Sequence, residues 1–403
     1  MKLRLTSLLS VLALSTVVAC SSDDSSSAST ADTTALQKDI VRTYALHVRA
    51  NYQEAITKAK ALQTAVDSFV ESPTAEGLEA AKQAWKDARP SYELSEPYRF
   101  YGGPIDAEGT GPEGRINSWP LDEFFVDYVK DQPNAGLINN PDLFPEITKQ
   151  TIADQNEKGG EKNLSAGYHA IEFLLWGQDL NDAGHEMDPG RRPYTDFVTG
   201  AEGTAANQDR RRAYLKAVTD LLVDDLSSVE PQWNLDDSSS YGATMVAGDT
   251  KTALANILKG LGSLAGGELS RERMNNAYTT KDQEEEHSCF SDNTAPVDLL
   301  YAATGIQNVY LGTYGDDDGP GLDELVAKIN PDLDAKVKSQ LTATINAIVI
   351  PVPFDQAILE VKRQADGRRN GTSHRFARAP GSLNRGCRCS TRHQDQLPVS
   401  KAP

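Results

Sequence analysis

From Leu36 to Phe69 the chain places an apolar residue every three or four positions: Leu36, Ile40, Tyr44, Val48, Tyr52, Ile56, Ala59, Leu62, Val66 and Phe69. That period is helical, so the ten residues form a stripe along one face of a single long helix. Such a stripe has to be covered by other elements. No later stretch shows the sustained apolar–polar alternation from which a sheet would be built. Further helical periods follow instead. Residues 76–96, EGLEAAKQAWKDARPSYELSE, mark a second helix, with Ser72 expected as its N-cap and Pro73 in its first turn. A region rich in Gly, Pro and Asn runs from Gly102 to about Gly160, interrupted by a helical segment expected at LDEFFVDYVKD, residues 121–131. Next comes GYHAIEFLLW, residues 167–176, with Gly177 as its terminating glycine.

The second half repeats the theme. Tyr214, Leu215, Val218, Leu221 and Leu222 mark one helix, and residues 250–274 another. In the latter, Gly260, Gly262, Gly266 and Gly267 are expected to allow close helix approach. Residues 297–312, 322–329 and 335–350 complete the set. The expected fold is all-α: two helical-bundle domains, 36–180 and 181–362, joined near residues 180–210.

The ends of the chain read differently. Residues 1–20 carry Lys2 and Arg4, then an apolar run too short for an ordinary membrane span, and stop at Val17-Val18-Ala19-Cys20. This pattern resembles a bacterial lipoprotein signal peptide, in which the cysteine, here Cys20, is lipidated and becomes the mature N-terminus. The Ser-rich stretch 21–35 is then a flexible linker between anchor and body. The expected location is the bacterial cell envelope, lipid-anchored to a membrane and facing the periplasm or the cell surface. At the other end, residues 363–403 hold nine Lys/Arg against two Asp/Glu, so the formal charge of −18 divides into +7 there and −25 before it. An acidic body argues against nucleic acid and favours cations. The tail lacks apolar periodicity and is expected to be disordered. The four cysteines, Cys20, Cys289, Cys387 and Cys389, outline no disulfide framework.

The chemistry concentrates in residues 165–179, SAGYHAIEFLLWGQD. Burying His169 and Glu172 in so apolar a helix costs several kcal/mol unless something satisfies them. Their spacing of three puts both on one helix face, about 5–6 Å apart at Cβ. There an imidazole nitrogen and a carboxylate can hold one cation, as Glu-x-x-His pairs do in di-metal bundles. An internal hydrogen-bonded contact is the plainer alternative. Glu284 and His287 in KDQEEEHSCFSDNT have the same spacing in reverse order, although EEEH alone reads as a solvated charge run. Glu93 and Glu96 form a third acidic pair. Such mixed ligands suit iron, zinc or manganese better than calcium. GDDDGPG, residues 315–321, lacks the alternate spacing of a calcium loop and is expected to be a solvated turn. No His-Glu-x-x-His, Gly-x-Ser-x-Gly or phosphate-loop pattern occurs. A faint repeat links the halves: an aromatic and acids follow both Arg89 and Arg273.

Gly167-Tyr168-His169-Ala170-Ile171-Glu172 resembles the GxHxxE signature of the imelysin family. Trp85, Arg89, Tyr92, Glu96, Phe100 and Gly103-Pro104-Ile105-Asp106 are similar to that family's earlier block. EEEHSCFSDNT resembles its iron-regulated protein A branch, and PFDQAI, residues 353–358, its late motif. The resemblance implies a two-domain helical envelope protein of iron or other metal uptake. His169 and Glu172 would then be ligands facing a site between the domains, with Glu96, Glu284 and His287 as additional ligands. The implied cofactor is a divalent or ferric ion, iron foremost and zinc as the alternative. The implied partners are the metal, the membrane through the lipid anchor, and iron-uptake proteins. The family's peptidase label implies the rival reading, a metallopeptidase using His169 and Glu172 with a metal-bound water. No separate general base or oxyanion donor can be assigned for it. A scaffold lipoprotein with a purely structural pair is the third reading. After Glu360 the chain departs from the family pattern, which continues as a closing helix.

Overall fold

The computed structural model describes residues 27–180, 189–281, 290–291, 295–349, 354 and 357–358. Cys20, Glu284, His287, Cys289 and the basic tail lie outside the described residues.

The fold is all-α, as the periodicities require. Helix α1 (Ser27–Glu71) is the expected long element, but it starts nine residues before Leu36, so residues 27–35, expected within the flexible linker, are helical; it contains neither glycine nor proline. Its stripe, apart from the partly buried Ile56, is buried from Leu36 to Phe69 against α2 (Ala75–Glu93) and later helices. The start of α2 differs from expectation. Thr74, not Ser72, is its N-cap: its hydroxyl accepts the N–H of Gly77 at 3.0 Å, and Pro73 precedes the cap. Two short helices, α3 (Glu113–Ile116) and α4 (Glu123–Val126), and α5 (Lys149–Gln155) punctuate the Gly/Pro-rich region. The helix expected over 121–131 is thus a single turn. It ends because Asp127 adopts extended backbone, which turns its carboxylate inward to Arg192 and Arg211.

Helix α6 (Gly167–Trp176) is buried along its whole length. It lies against α2 and against α7 (Gln208–Val229), which also packs on α1. So α7, from beyond residue 180, shares a core with α1 and α6. Helix α8 (Tyr241–Ala247) leads to α9 (Thr250–Ser263). The period then changes, because Leu264–Asn276 forms a π-helix before α10 (Ala277–Thr280). After α11 (Ala295–Leu311), strands β1 (Thr313–Tyr314) and β2 (Asp317–Asp318) form a small antiparallel hairpin with its acids exposed, which fits the solvated turn expected there. Helices α12 (Leu322–Ile329) and α13 (Pro331–Ile348) pack together and on α11. Among the described residues no helix is long and apolar enough to cross a membrane.

Two helix glycines let α9 and α11 approach the backbone of residues 94–97. A Cβ at Gly260 of α9 would lie 2.3 Å from the Pro97 carbonyl oxygen, and one at Gly305 of α11 would lie 2.6 Å from that of Leu94. Gly262, Gly266 and Gly267, expected to act likewise, face open space. The two real contacts clamp the backbone of residues 94–97 between α9 and α11 and so fix the position of Glu96.

Candidate metal centre

Glycine starts the site helix for a steric reason. Gly167 has φ +88°, and a Cβ there would stand 2.6 Å from the Ile116 carbonyl oxygen. The indole N–H of Trp85 donates to the Tyr168 carbonyl at 2.9 Å and ties α6 to α2. At the other end Gly177, at φ +73°, donates its N–H to the Phe173 carbonyl and closes the helix where the sequence places its end.

On this fixed turn His169 Nδ1 lies 3.0 Å from Glu172 Oε2. The other carboxyl oxygen, Oε1, accepts both the backbone N–H of Ser291 at 3.0 Å and its hydroxyl at 2.7 Å. All three residues are buried. The Trp119 ring meets the imidazole edge-on with centroids 4.7 Å apart, and Phe290 packs on Trp119 and Phe173. Spacing therefore located the pair correctly. Ser291 lies within the EEEHSCFSDNT segment marked in the sequence but was not itself singled out, and Trp119 carried no sequence signal.

The pair is not an ion pair. Burial drives the imidazole well below its usual range, and Arg89 and Arg273 push it the same way, so His169 is neutral. Burial lifts the Glu172 carboxyl to about 8, against the opposing pull of Ser291 and Arg89. Near neutral pH the two groups share a proton and carry little charge.

Glu96 is placed elsewhere. Arg99 binds both of its oxygens at 2.8 and 2.9 Å, and Arg273 adds a third contact at 2.7 Å. Burial raises this carboxyl, but Arg99 and Arg273 outweigh it and hold it below the ordinary range. Glu93 bonds Arg89 and Arg273, and Arg89 also bonds Asp298 and Asn117. The two arginines of the faint repeat thus meet at one carboxyl. Including the Arg99–Glu113 bridge, four carboxyls (Glu93, Glu96, Glu113, Asp298) face three guanidiniums (Arg89, Arg99, Arg273). One proton on a carboxyl balances the set. Burial pushes up two of these acids: Glu93, against Arg89 and with repulsion from Asp298, and Glu113, against Arg99.

Among the described residues no group of three or more His, Cys, Asp or Glu side chains is arranged to hold a metal ion. His169 and Glu172 supply a borderline nitrogen donor and a hard oxygen donor, which fits a transition metal in chemistry. They are two donors of the four to six such an ion takes.

An all-helical chain with a buried His-x-x-Glu pair on a Gly-initiated helix defines a narrow class of helical protein. The imelysin family profile matches residues 48–374, most of the chain, and the protein belongs to that family. The match extends past Glu360, where the motif resemblance stopped. The chain is 26% identical over 316 residues to iron-regulated protein A of Synechococcus elongatus, covering 76% of this chain and 73% of that one. A crystal structure described as an iron-regulated protein A precursor from Parabacteroides distasonis shares the fold at TM-score 0.60 and 22% identity, covering 81% and 89% of the two chains. An imelysin-like protein from Psychrobacter arcticum superposes at 0.52 and 13% identity, over 82% and 91%.

Proposed function

We propose that the protein is a lipid-anchored cell-envelope metal-binding protein serving iron uptake or iron homeostasis, with His169 and Glu172 as its ligands. One observation carries the reading: a carboxyl and an imidazole share one helix face, both fully buried, with no guanidinium bonded to either in the contacts described. Burial favours the neutral imidazole, which is the form that binds a metal, and the protonated carboxyl, whose proton a cation would displace. Binding would release the shared proton and convert a costly burial into a metal–ligand contact. Ser291 would hold Glu172 in place through its second oxygen, the usual part of a residue behind a metal ligand. The names of the relatives support iron as the ion.

Glu284 and His287 are proposed as completing ligands. Ser291 follows His287 by four chain steps, a span of at most about 14 Å, so the segment that bonds Glu172 is continuous with them. Glu96 would have to exchange Arg99 and Arg273 for the metal, and its arrangement favours an electrostatic part. The proposed anchor is Cys20.

Elemental analysis of the purified protein tests this. About one iron or other transition-metal ion per chain is expected, with most of it lost in His169→Ala and in Glu172→Ala, because two ligands from one turn cannot hold a borderline metal without each other. Unchanged metal content in both variants would return the pair to a structural contact.

A further inference from the structure

Arg273 reaches Glu93 and Glu96 because the helix that carries it changes period. Along α9 the buried residues Ala253, Leu254, Ile257, Gly260 and Leu261 lead to Leu264 at three- and four-residue steps. Beyond Leu264 the buried positions are Leu269, Arg273 and Ala277, at steps of five, four and four. Three turns thus take thirteen residues, where an α-helix takes about eleven. Were the segment α-helical, the chain from Leu264 to Arg273 would make about two and a half turns, and Arg273 would stand on the opposite face. The surplus is about two residues, and Gly266-Gly267 supply it: a Cβ at either meets nothing within 4 Å. Such π-helical runs are rare, and they concentrate at functional sites. The two carboxylates do not depend on Arg273 alone. Glu93 also bonds Arg89, and Arg99 holds both oxygens of Glu96.

We propose that Leu264–Asn276 is a register switch that sets the charge near the His169–Glu172 pair: in the π-helical register Arg273 bridges Glu93 and Glu96, and in an α-helical register it is turned away from both. Withdrawal leaves neither carboxylate bare, since Arg89 and Arg99 stay, so the cost of stranding a buried charge is avoided. The clamp of α9 and α11 on residues 94–97 holds Glu96 still while the helix beyond Gly260 turns. The cluster then loses one positive charge. That guanidinium acts on His169 through space, in the sense that disfavours positive charge there. A cation at the pair therefore favours the register in which Arg273 is withdrawn, and the linkage runs both ways. The coupling to a cation rests on the function proposed above; the change of register does not.

The first arm of the test uses the metal-free wild-type chain. Backbone amides of residues 265–276 should exchange with deuterium about tenfold or more faster than those of 254–261 in the same continuous helix. Equal protection overturns the switch. The second arm labels accessible guanidiniums with phenylglyoxal, and peptide mass mapping reads each arginine separately. Deleting Gly266 and Gly267 brings Leu264, Leu269 and Arg273 to α-helical spacing, so Arg273 stays on its carboxylates without a second register. Its labelling should slow about tenfold, while Arg211 on α7, also buried, keeps its rate. An unchanged Arg273 rate overturns the proposal. So does an equal slowing at Arg211, which would mean general stabilisation. Should the shortened chain not fold, the exchange rates decide alone. The third arm adds zinc. Arg273 labelling should rise about fivefold or more in wild type and stay level in His169→Ala. Zinc bound with no change at Arg273 overturns the coupling. If the wild-type chain takes up no zinc, the metal-binding reading fails while the metal-free arms still decide the register.

Discussion

Asp127 and Glu172 are two carboxyls with no solvent exposure, and their surroundings push them in opposite directions. Burial raises both. At Asp127 the bonds of Arg192 (2.7 Å) and Arg211 (2.6 and 2.9 Å), with Asn139 at 2.9 Å, outweigh burial and hold the carboxyl below its ordinary range. At Glu172 the described bonds are to a neutral imidazole and a serine, and burial wins. The first is a closed arrangement: Asp127 bonds both guanidiniums, and Asp196, 3.5 Å from Arg192, is the second counter-charge. It joins the loop after α4 to Arg192 and to α7. Among the described residues no guanidinium bonds the second, and Arg89 acts on its carboxyl only through space.

The largest test of this contrast is Asp127→Asn. It leaves Arg192 and Arg211 buried without their carboxylate and should cost about 3–5 kcal/mol, read as a fall in the denaturant midpoint. Glu172→Gln should do the opposite. The folded carboxyl has a pKa of about 8 and the unfolded one about 4.3. Between those values the folded chain keeps a proton that the unfolded chain releases, so wild-type stability falls as pH rises through the window. The amide imitates the protonated acid. The metal-free variant should therefore be more stable than wild type by roughly 3 kcal/mol at pH 7, with the gain fading towards pH 4. Melting curves across pH check both the sign and the window, and a variant less stable at pH 7 would mean that Glu172 is already paired.

Ser291→Ala has a smaller effect. It removes the 2.7 Å hydroxyl donor and leaves the backbone N–H. Glu172 becomes harder to ionise, and metal affinity should drop about tenfold at pH 7, less at pH 9; calorimetric titration at the two pH values reads this. The smallest expected effect is on peptide bonds. Metal-loaded protein should not cleave an unfolded-protein panel in a Glu172-dependent way, since no general base or oxyanion donor accompanies the pair in the described residues. Cleavage that vanishes in Glu172→Gln would move the open carboxyl from binding to catalysis.

The helical periods of α1, α2, α6 and α7 were legible because each follows from local spacing, and so was the facing of His169 and Glu172 on one turn. Partners that arrive through space were not. Nothing in the sequence around Trp119 marks it as a neighbour of residue 169, and the EEEHSCFSDNT motif pointed to Glu284 and His287 rather than to Ser291. The run 121–131 has a helical pattern, yet Asp127 turns inward to arginines 65 and 84 positions away. The glycines of residues 260–267 look alike in sequence, but only Gly260 meets another backbone. The change to a π-helix over Leu264–Asn276 likewise has no period of its own to betray it. Arg89 and Arg273 lie between these cases. Their repeated context was visible, and their meeting at Glu93 was not.

Helix α1 sets the mechanical character of the molecule. At 1.5 Å per residue its 45 residues make a rod of about 67 Å. That rod packs against α2 and α7 and also against α8, α9 and α12. It therefore acts as a spine common to both ends of the chain. Without a proline or glycine at which to kink, it resists the clamshell closure by which many binding proteins swallow their cargo. Under the function proposed above, a cation would be bound without bending this frame.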